Sequence, residues 1–464
     1  MDTPRRNATW ASDPNGGLVF GLALSRAVYE WLDAPAFGSY PTERWKNIWV
    51  DCRNRTMVMP SRRRLLVGLS GTAVALTGTY ATLGATNAER LEWPMVRYDP
   101  AGTGSNPDAA GPKDGVEVAW QRDTDSSMYG QTAPILVGET LYAVGQQSLV
   151  AFDRETGEIR FVRDGQYWSS PARAAAKAYR RDTLAVNGRE GIYGLSAGGG
   201  YEVFGRSIGT ERWHSHGRES QRWTSSSPRE PSPVAANGSV YAVVPDSDRV
   251  VALDASSGRI RWEQTVGEPR SIGSNRPAVR DGTVYVSSRP GDVVAFDAET
   301  GDRRWSVRPE PHADSALEYR NFSPPTVTDA GLVVPDREGV VLLDRTDGSV
   351  RWEYVHDGNA PDGSAAVADG TVFVTDGEES LHAIDLENGT REWTAEYSPD
   401  TDPVVADGVV YLGYQISELV AIDAETGDRR WTYEGSTYFT QPIVGDGVMY
   451  VLADEGLLAL EEAS

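Results

Sequence analysis

Cysteine is almost absent from this sequence of 464 residues, which contains only Cys52. The chain can therefore form no internal disulfide and no metal site built from several thiolates. Lysine is nearly as scarce: the 44 basic residues include three lysines, Lys46, Lys113 and Lys177, and the rest are arginines. Because covalent cross-links are excluded, the fold must be stabilised by a hydrophobic core.

The sequence also contains fewer basic residues than acidic ones. The 44 Lys and Arg residues stand against 67 Asp and Glu residues, which gives a formal net charge of −23 at pH 7. No basic stripe interrupts this excess in residues 115–464, so we exclude nucleic acid as a partner. Acidic, lysine-poor surfaces keep proteins soluble and monomeric in concentrated salt, where their self-repulsion is screened. The composition predicts a monomer from a halophilic archaeon, although an acidic secreted protein from another source would share it.

What the sequence has in abundance is a repeat. The stretch "LVAIDAETGDRRW" at 419–431 returns five more times, and a degraded copy, "YEVFGRSIGTERW", stands at 201–213. Alternating apolar residues in its first half predict a strand. Asp423 and Gly427 then predict a tight turn into a second strand that ends on Trp431. The repeat is therefore a β-hairpin with an aromatic anchor.

A second hairpin precedes most copies. The run "PVVADGVVYLG" at 403–413 places Asp-Gly between two β-rich stretches, which is a strong hairpin signal. Each unit is then four antiparallel strands. Four-stranded units at a spacing of roughly 40–50 residues predict the blades of a β-propeller.

Counting the units predicts eight blades. The position of the motif Asp recurs eight times, if Gly205 of the degraded copy and Glu461 near the chain end are included. The unit at Glu461 lacks a fourth strand, while "GVEVAW" at 115–120 is a fourth strand without a unit. The sequence therefore predicts an all-β, eight-bladed propeller of four-stranded antiparallel blades. The N-terminal strand would close the ring by joining the C-terminal blade.

A large aromatic residue is expected in the fourth strand of every blade. A flat ring at a fixed place fills the wedge between neighbouring blades, so we interpret these residues as packing residues and not as ligand-stacking ones. Besides Phe161, they are Trp120, Trp213, Trp262, Trp305, Trp352, Trp393 and Trp431.

The segment 59–88 has the form of a targeting signal. Arg62 and Arg63 precede an uncharged apolar run, and the pattern resembles a twin-arginine export signal. The resemblance implies export to the outer face of the cytoplasmic membrane. The signal could be cleaved, which would leave a secreted protein, or retained as a membrane anchor through residues 65–85.

The remaining boundaries follow from these two features. Residues 1–58 are either a disordered extension, a mis-assigned start or a cytoplasmic extension with one short amphipathic helix. We expect residues 89–114 to be a linker and residues 115–464 to be the propeller.

The repeat pattern A-x-D-x-x-T-G-x-x-x-W, as at Ala295–Trp305 and Ala421–Trp431, resembles that of PQQ-type β-propellers. The resemblance covers about 93–464 and implies the propeller fold. It includes two functional branches. One is the quinoprotein dehydrogenases, which bind PQQ and a calcium ion on the propeller axis, and the other is a group of non-enzymatic scaffolds that includes the BamB family.

The scarcity of cysteine favours the scaffold branch. Many of the dehydrogenases stack the quinone against a disulfide of adjacent cysteines, and Cys52 lies outside the propeller. No calcium-ligand set can be aligned with theirs. We therefore predict a non-enzymatic scaffold without cofactor or metal, with a PQQ-dependent or quinoprotein-like oxidoreductase as the alternative. The role of BamB does not carry over directly, because no cysteine follows the apolar run to accept a lipid anchor.

Two histidines offer a weak metal signal. His214 and His216 are two residues apart on a predicted strand, so their side chains would face the same way. No third ligand is visible nearby, and we interpret the pair as the solvated end of a strand.

Connections from a fourth strand to the next first strand must all emerge on one side of a ring. Several of them combine aromatic residues with arginine, a composition typical of interfaces. We predict that they bind a partner protein or a cell-surface ligand; alternatively, their rings cap the blades. The candidate residues are Tyr129, Tyr167, Trp168, Trp223, Arg270, Arg276, Tyr319, Arg320, Phe322, Tyr438 and Phe439.

Overall fold

A computed structural model describes residues 91–464 except for 124–131, 146, 204–205, 216–230, 246, 268–272, 290, 314, 316, 360–362, 398–400, 415–416, 436–437 and 454–455. The N-terminal extension and the predicted export signal, with Arg62 and Arg63, lie outside the described residues. Within those residues, no helix has the length and apolar character that crossing a membrane requires.

The described chain forms the eight predicted four-stranded antiparallel blades, and the fold prediction is confirmed. Two strands come first and belong to later blades: β1 (Ser105–Asn106) and β2 (Val116–Arg122). Blade one consists of β3 (Ile135–Val137), β4 (Thr140–Val144), β5 (Ser148–Asp153) and β6 (Ile159–Asp164). Blade two consists of β7 (Ala172–Ala174), β8 (Thr183–Gly188) and β9 (Gly191–Ser196), then an inserted hairpin of β10 (Tyr201–Val203) and β11 (Arg206–Ile208), and finally β12 (Glu211–Ser215).

The next three blades follow without large insertions. Blade three consists of β13 (Val234–Ala236), β14 (Ser239–Val243), β15 (Arg249–Asp254) and β16 (Ile260–Thr265). Blade four has a short additional strand, β17 (Gly273–Ser274), before β18 (Ala278–Arg280), β19 (Thr283–Arg289), β20 (Val293–Asp297) and β21 (Arg303–Val307). Blade five consists of β22 (Thr326–Val327), β23 (Leu332–Pro335), β24 (Gly339–Leu343) and β25 (Val350–Val355).

The last three blades complete the ring. Blade six consists of β26 (Ala366–Ala368), β27 (Thr371–Thr375), β28 (Ser380–Asp385) and β29 (Arg391–Glu396). Blade seven consists of β30 (Val404–Ala406), β31 (Val409–Tyr414), β32 (Glu418–Asp423) and β33 (Arg429–Glu434). Blade eight consists of β34 (Ile443–Gly445), β35 (Val448–Ala453), β36 (Gly456–Glu462) and the early strand β2.

Strand β2 closes the ring as its fourth-strand pattern predicted. It pairs antiparallel with β36, so that Val116 lies opposite Glu462 and Arg122 opposite Leu457. The Glu462 carboxylate also accepts a hydrogen bond from the backbone N–H of Asp114 at 2.8 Å. The edge of β36 is therefore covered, and the last blade has four strands like the others.

The repeat residues play the local roles that their chemistry predicts. In the motif turn of blade seven, Asp423 Oδ1 accepts the backbone N–H groups of Glu425 and Thr426 at 2.9 Å each. The Asp-Gly turns adopt left-handed backbone at both residues, with φ of +46° at Asp407 and +74° at Gly408. This is the geometry of the two-residue turn that matches the twist of a hairpin.

The outer-strand tryptophans pack across the boundary between neighbouring blades. Trp393 of blade six donates its Nε1–H to the carbonyl oxygen of Ala424 in blade seven at 3.1 Å, and its ring covers Gly427. Trp431 instead donates to the carbonyl oxygen of Pro112 at 2.9 Å. The indole-on-glycine contact recurs at Trp120–Gly157, Trp213–Gly258, Trp262–Gly301, Trp305–Gly348 and Trp352–Gly389.

Blade two differs from the sequence prediction. The degraded copy at 201–213 was expected to supply its third and fourth strands, with Gly205 at the Asp position. Instead β9 (Gly191–Ser196) is the third strand, and it pairs with both β8 and β12. The left half of the degraded copy is the inserted hairpin β10–β11, and only its right half, which carries Trp213, belongs to the blade.

Residues 91–114, here called the lead-in segment, also differ from the linker that the sequence predicted. They run along the first strands of successive blades, which face the axis. Carbonyl oxygens of the lead-in segment accept hydrogen bonds from the backbone N–H of the second residue of five first strands. In order, Pro94 accepts from β7, Pro100 from β18, Ala101 from β22, Thr103 from β26 and Gly104 from β30. Trp93 pairs with Leu136 of β3 in the same manner. The inner edges of blades have unpaired N–H groups, and the lead-in segment accepts hydrogen bonds from those of most blades.

Candidate functional site

The side of the ring that carries the fourth-to-first connections is here called the connection face. The turns between second and third strands emerge on the same side, because strands alternate in direction. Of the predicted interaction residues, Tyr129, Trp223 and Arg270 lie outside the described residues. The other eight are described, and they fall into two groups by burial.

Five of the eight side chains are buried. Tyr167, Phe322 and Phe439 each form a single β-bridge with the end of the second strand of their own blade, at Gly188, Asp336 and Ala453 respectively. These three rings therefore cap blades two, five and eight, which is the alternative that the sequence analysis left open. The two buried arginines, Arg276 and Arg320, are held in hydrogen-bond networks.

The remaining three side chains reach solvent. Tyr438 is 55% exposed and Tyr319 is 40% exposed, and Trp168 is half-buried. The backbone N–H of Trp168 donates to the carbonyl oxygen of Asn187 at 2.8 Å, which fixes the position of its loop. These residues are the part of the predicted surface that a partner could contact directly.

A buried charged cluster lies beneath Tyr319, between the connection that leads into blade five and the blade itself. Arg320 donates to Asp336 Oδ2 at 2.9 Å and to Glu353 Oε1 at 2.6 Å. His312 Nε2 lies 3.2 Å from both Asp336 carboxylate oxygens. Although burial raises the pKa of Asp336, its hydrogen bonds with His312 and with the backbone N–H of Glu338 leave that pKa below the ordinary value. The cluster fixes the connection that displays Tyr319.

Two further histidines, His356 and His382, lie next to this cluster in blades five and six. The rings of His356 and His382 are nearly parallel, with centroids 5.6 Å apart. His382 Nδ1 lies 3.0 Å from the Tyr354 hydroxyl, and its Nε2 lies 3.6 Å from Asp376 Oδ2. Neither ring nitrogen of His356 has a hydrogen-bond partner among the described residues. Burial lowers the pKa of both imidazoles, so both are neutral at pH 7.

The chemistry of these groups is limited. No group of three His, Cys, Asp or Glu side chains in the described parts of the chain is arranged to hold a metal ion. His214 stacks on Tyr193 with centroids 4.3 Å apart, and His216 lies outside the described residues. The sequence analysis did not single out His312, His356 and His382, because they are far apart in sequence. His356 directly follows β25 and His382 lies near the start of β28, and both of these strand ends are on the connection face, which was the available signal.

The axis of the ring is occupied by arginine. Arg97 of the lead-in segment and Arg276, which precedes β18, are both buried and lie against the backbone at Gly104 and Gly102. The quinoprotein branch would place PQQ with a calcium ion on this axis. Two buried guanidinium groups carry the wrong charge to neighbour a divalent cation. The residues at the axis therefore do not fit a calcium–quinone site.

Residues 204–433, just under half of the chain, match the PQQ_2 family model, which is described as outer membrane protein assembly factor BamB. The repeats in this range are therefore similar to those of that family. Several curated relatives match parts of the chain, and three of them illustrate the range. BamB of Yersinia pestis is 29% identical over 35% of this chain and 43% of its own length. Quinohemoprotein alcohol dehydrogenase ADH-IIG of Pseudomonas putida is 32% identical over 27% of this chain and 19% of its own length.

The third relative is the serine/threonine-protein kinase AfsK of Streptomyces griseus, 31% identical over 39% of this chain and 22% of its own length. The chain thus spans less than half of the length of each of these relatives. Among solved structures, BamB from Moraxella catarrhalis aligns with a TM-score of 0.58 and 15% identity, over 75% of this chain and 99% of that one. Quinohemoprotein alcohol dehydrogenase from Comamonas testosteroni aligns with a TM-score of 0.60 and 16% identity, over 80% and 81%. These structures share the fold.

Proposed function

We propose that this chain is an exported, non-enzymatic β-propeller that binds a protein or a cell-surface ligand through its connection face, outside the cytoplasmic membrane. The observation that carries the proposal is the exposure of Tyr319 and Tyr438 on that face. The other large hydrophobic side chains that are exposed among the described residues are Tyr179 and six Val or Ile residues in outer strands. Exposed tyrosines that stand on fixed connections are typical of binding surfaces.

The anchoring of Tyr319 supports this reading. Arg320, the next residue, is buried and is held by two carboxylates of blade five. Phe322, also buried, bridges to Asp336 in the same blade. An aromatic side chain on a connection that is fixed in this way loses little conformational freedom on binding, which favours affinity.

Two features disfavour the quinoprotein alternative. The axis holds the buried positive charges of Arg97 and Arg276, and the lead-in segment covers the inner edges of most blades. The full sequence also has a single cysteine, Cys52, so it can form no disulfide of adjacent cysteines.

The extracytoplasmic location rests on the Arg62-Arg63 pair and on the similarity to BamB, which is described as an outer membrane protein assembly factor.

The binding proposal is tested by capture of partners from native membranes at molar salt. We expect Tyr319→Ala and Tyr438→Ala each to weaken capture by about 1–3 kcal/mol, the range of aromatic hot spots. Tyr179→Ala is the matched control, because Tyr179 is 44% exposed but lies in the first-to-second connection of blade two, on the opposite face. The same loss in all three variants, or none in any, would contradict the proposal. Unchanged thermal unfolding of each variant shows that the fold is intact.

The enzyme alternative is tested separately by calorimetry with PQQ, with and without Ca²⁺. We expect no calcium-dependent saturable heat. The calcium dependence is essential, because PQQ carries carboxylates that two arginines could bind without any quinoprotein site. A stoichiometric heat that requires Ca²⁺ would contradict the proposal and favour the oxidoreductase alternative.

A further inference from the structure

Buried arginines in this propeller differ in how their charge is compensated. Arg154 forms an ion pair with Asp446 at 2.8 Å, and Arg320 pairs with Asp336 at 2.9 Å and with Glu353 at 2.6 Å. Such direct pairing is expected, because an uncompensated buried charge is strongly unfavourable. The buried arginines of the described residues are Arg97, Arg154, Arg276 and Arg320.

The two axial arginines lack this pairing. Arg97 is 1% exposed, and its guanidinium donates to Gln441 Oε1 and to the carbonyl oxygen of Ala365, both at 2.9 Å. Its closest carboxylate among the described residues is that of Asp402, at 3.9 Å. The Nε–H of Arg97 has no hydrogen-bond partner in the described part of the chain.

The buried charge of Arg276 is compensated even less than that of Arg97. It is 5% exposed, and its guanidinium donates to the main-chain carbonyl oxygens of Pro277 at 3.0 Å and Pro325 at 3.4 Å. No described carboxylate lies within ion-pair distance of it. Burial, together with the positive charge of Arg97, lowers the pKa of Arg276 to about 10.

The two guanidinium groups are neighbours. An added Cβ at Gly104 would lie 2.0 Å from Arg97 Nη2, and one at Gly102 would lie 2.5 Å from Arg276 Nη2. The nearby carboxylate of Asp99 is already engaged, since its Oδ1 accepts the backbone N–H groups of Gly102 and Thr103 at 2.7 and 2.9 Å. Burial also raises the pKa of Asp99, which weakens its value as a counter-charge.

The position of the pair gives it access to the connection face. Arg276, Asp402 and Gln441 each stand immediately before the proline that precedes the first strand of their blade. First strands begin on the connection face, so Arg276, Asp402 and Gln441 lie near the axis on that side of the ring. The Asp402 side chain is 30% exposed and lies 3.9 Å from Arg97, so solvent reaches the immediate surroundings of the pair.

We propose that the axial arginine pair of Arg97 and Arg276 binds a small oxyanion, a carboxylate or an inorganic phosphate, on the connection-face side of the axis. Guanidinium groups present several N–H donors in a planar fork, which matches the oxygens of these anions. The bound anion supplies the counter-charge that the protein does not. The site is independent of the proposed partner-binding surface at Tyr319 and Tyr438.

The test is thermal unfolding of the full chain at constant ionic strength, in which chloride is replaced by phosphate or by acetate. A ligand that binds only the folded state raises the unfolding temperature in a saturable manner. We expect such a rise with at least one of the two anions, and calorimetry should give one site per chain. Phosphate and acetate separate the two sources of the anion. A flat response to both would overturn the proposal.

Two variants make the test specific. Asp402→Asn removes the closest competing carboxylate, so we expect anion affinity to increase about tenfold, because a like charge is lost from the site. Arg276→Gln should abolish the anion-dependent rise. Arg320→Gln is the matched control, since Arg320 is buried but has its own carboxylates; it should lose stability and retain the rise. Unchanged affinity in Asp402→Asn, or a rise that persists in Arg276→Gln, would refute the assignment to this pair.

Discussion

The energetic contribution of the contact between an indole and the glycine of the next blade can be measured by adding one methyl group to that glycine. Gly427 has a φ of +77°, and a Cβ added there would lie 2.8 Å from Cε3 of Trp393. Gly408, in the same blade, has a φ of +74°, and an added Cβ would meet no atom within 4 Å. Alanine at either position must adopt left-handed backbone, which costs roughly 1–2 kcal/mol. Alanine at Gly427 must also displace the ring, and such overpacking typically costs about 1–3 kcal/mol more.

We therefore expect Gly427→Ala to be less stable than Gly408→Ala by about 1–3 kcal/mol in equilibrium urea unfolding at fixed salt, followed by tryptophan fluorescence and circular dichroism. A second pair checks the result in blade six. Gly389 lies under Trp352, whereas Gly370 has open space around its Cα. Equal unfolding midpoints within both pairs would show that the rings can move aside freely, and the indole contacts would then contribute little to blade docking.

Three further predictions concern pH, ring closure and export. Burial lowers the pKa of His356 and His382, so in acid the unfolded chain binds more protons than the folded chain. The folded state should therefore lose stability as the pH drops below about 6.5, the ordinary pKa of histidine. Replacing both histidines with Gln should reduce the change in unfolding temperature between pH 8 and pH 5. Trp120→Ala should destabilise the whole ring by about 3 kcal/mol, because it removes the indole contact between blades eight and one; calorimetry showing an unchanged transition would contradict this. Replacing Arg62 and Arg63 with Lys should leave the protein in the cytoplasm, and normal delivery in a fractionation assay would refute the twin-arginine signal.

The repeat made the fold predictable because each of its residues has one local task. Asp423 closes a turn with its carboxylate, Gly427 accepts both positive φ and a ring above it, and Trp431 anchors the outer strand. Such tasks depend on neighbours in sequence, so they can be inferred without coordinates. The closure by β2 was predictable for the same reason, since the pattern of a fourth strand was present without the rest of its unit.

Blade two was mispredicted because a local pattern was ambiguous. "YEVFGRSIGTERW" has apolar residues, a glycine and a terminal tryptophan at the expected spacing, so it resembled a whole motif. The true third strand, β9, is followed by "AGGG", which lets the chain leave the blade and form the hairpin β10–β11. An insertion between two strands of one blade changes which residues pair, but it changes little in the composition of the stretch.

The connection face was only partly predictable. Spacing alone placed Tyr319, Arg320 and Phe322 on one connection, yet Tyr319 reaches solvent while its two neighbours are buried. That difference arises because Phe322 pairs with Asp336, a residue of another turn, and Asp336 also binds Arg320. Contacts between turns that are distant in sequence determine which side chains remain available, and no periodicity in the sequence reports them.

The lead-in segment explains how Arg97 comes to lie at the axis of this propeller. Each blade has two free edges, an outer one and an inner one that faces the axis. In this chain β2 completes the outer edge of blade eight, and the lead-in segment hydrogen-bonds to the inner edges of most blades. Because the backbone of the segment occupies the inner edges, its side chains must fill the axis, and Arg97 does so. The same backbone interactions that stabilise the ring therefore place the positive charge of Arg97 at the axis.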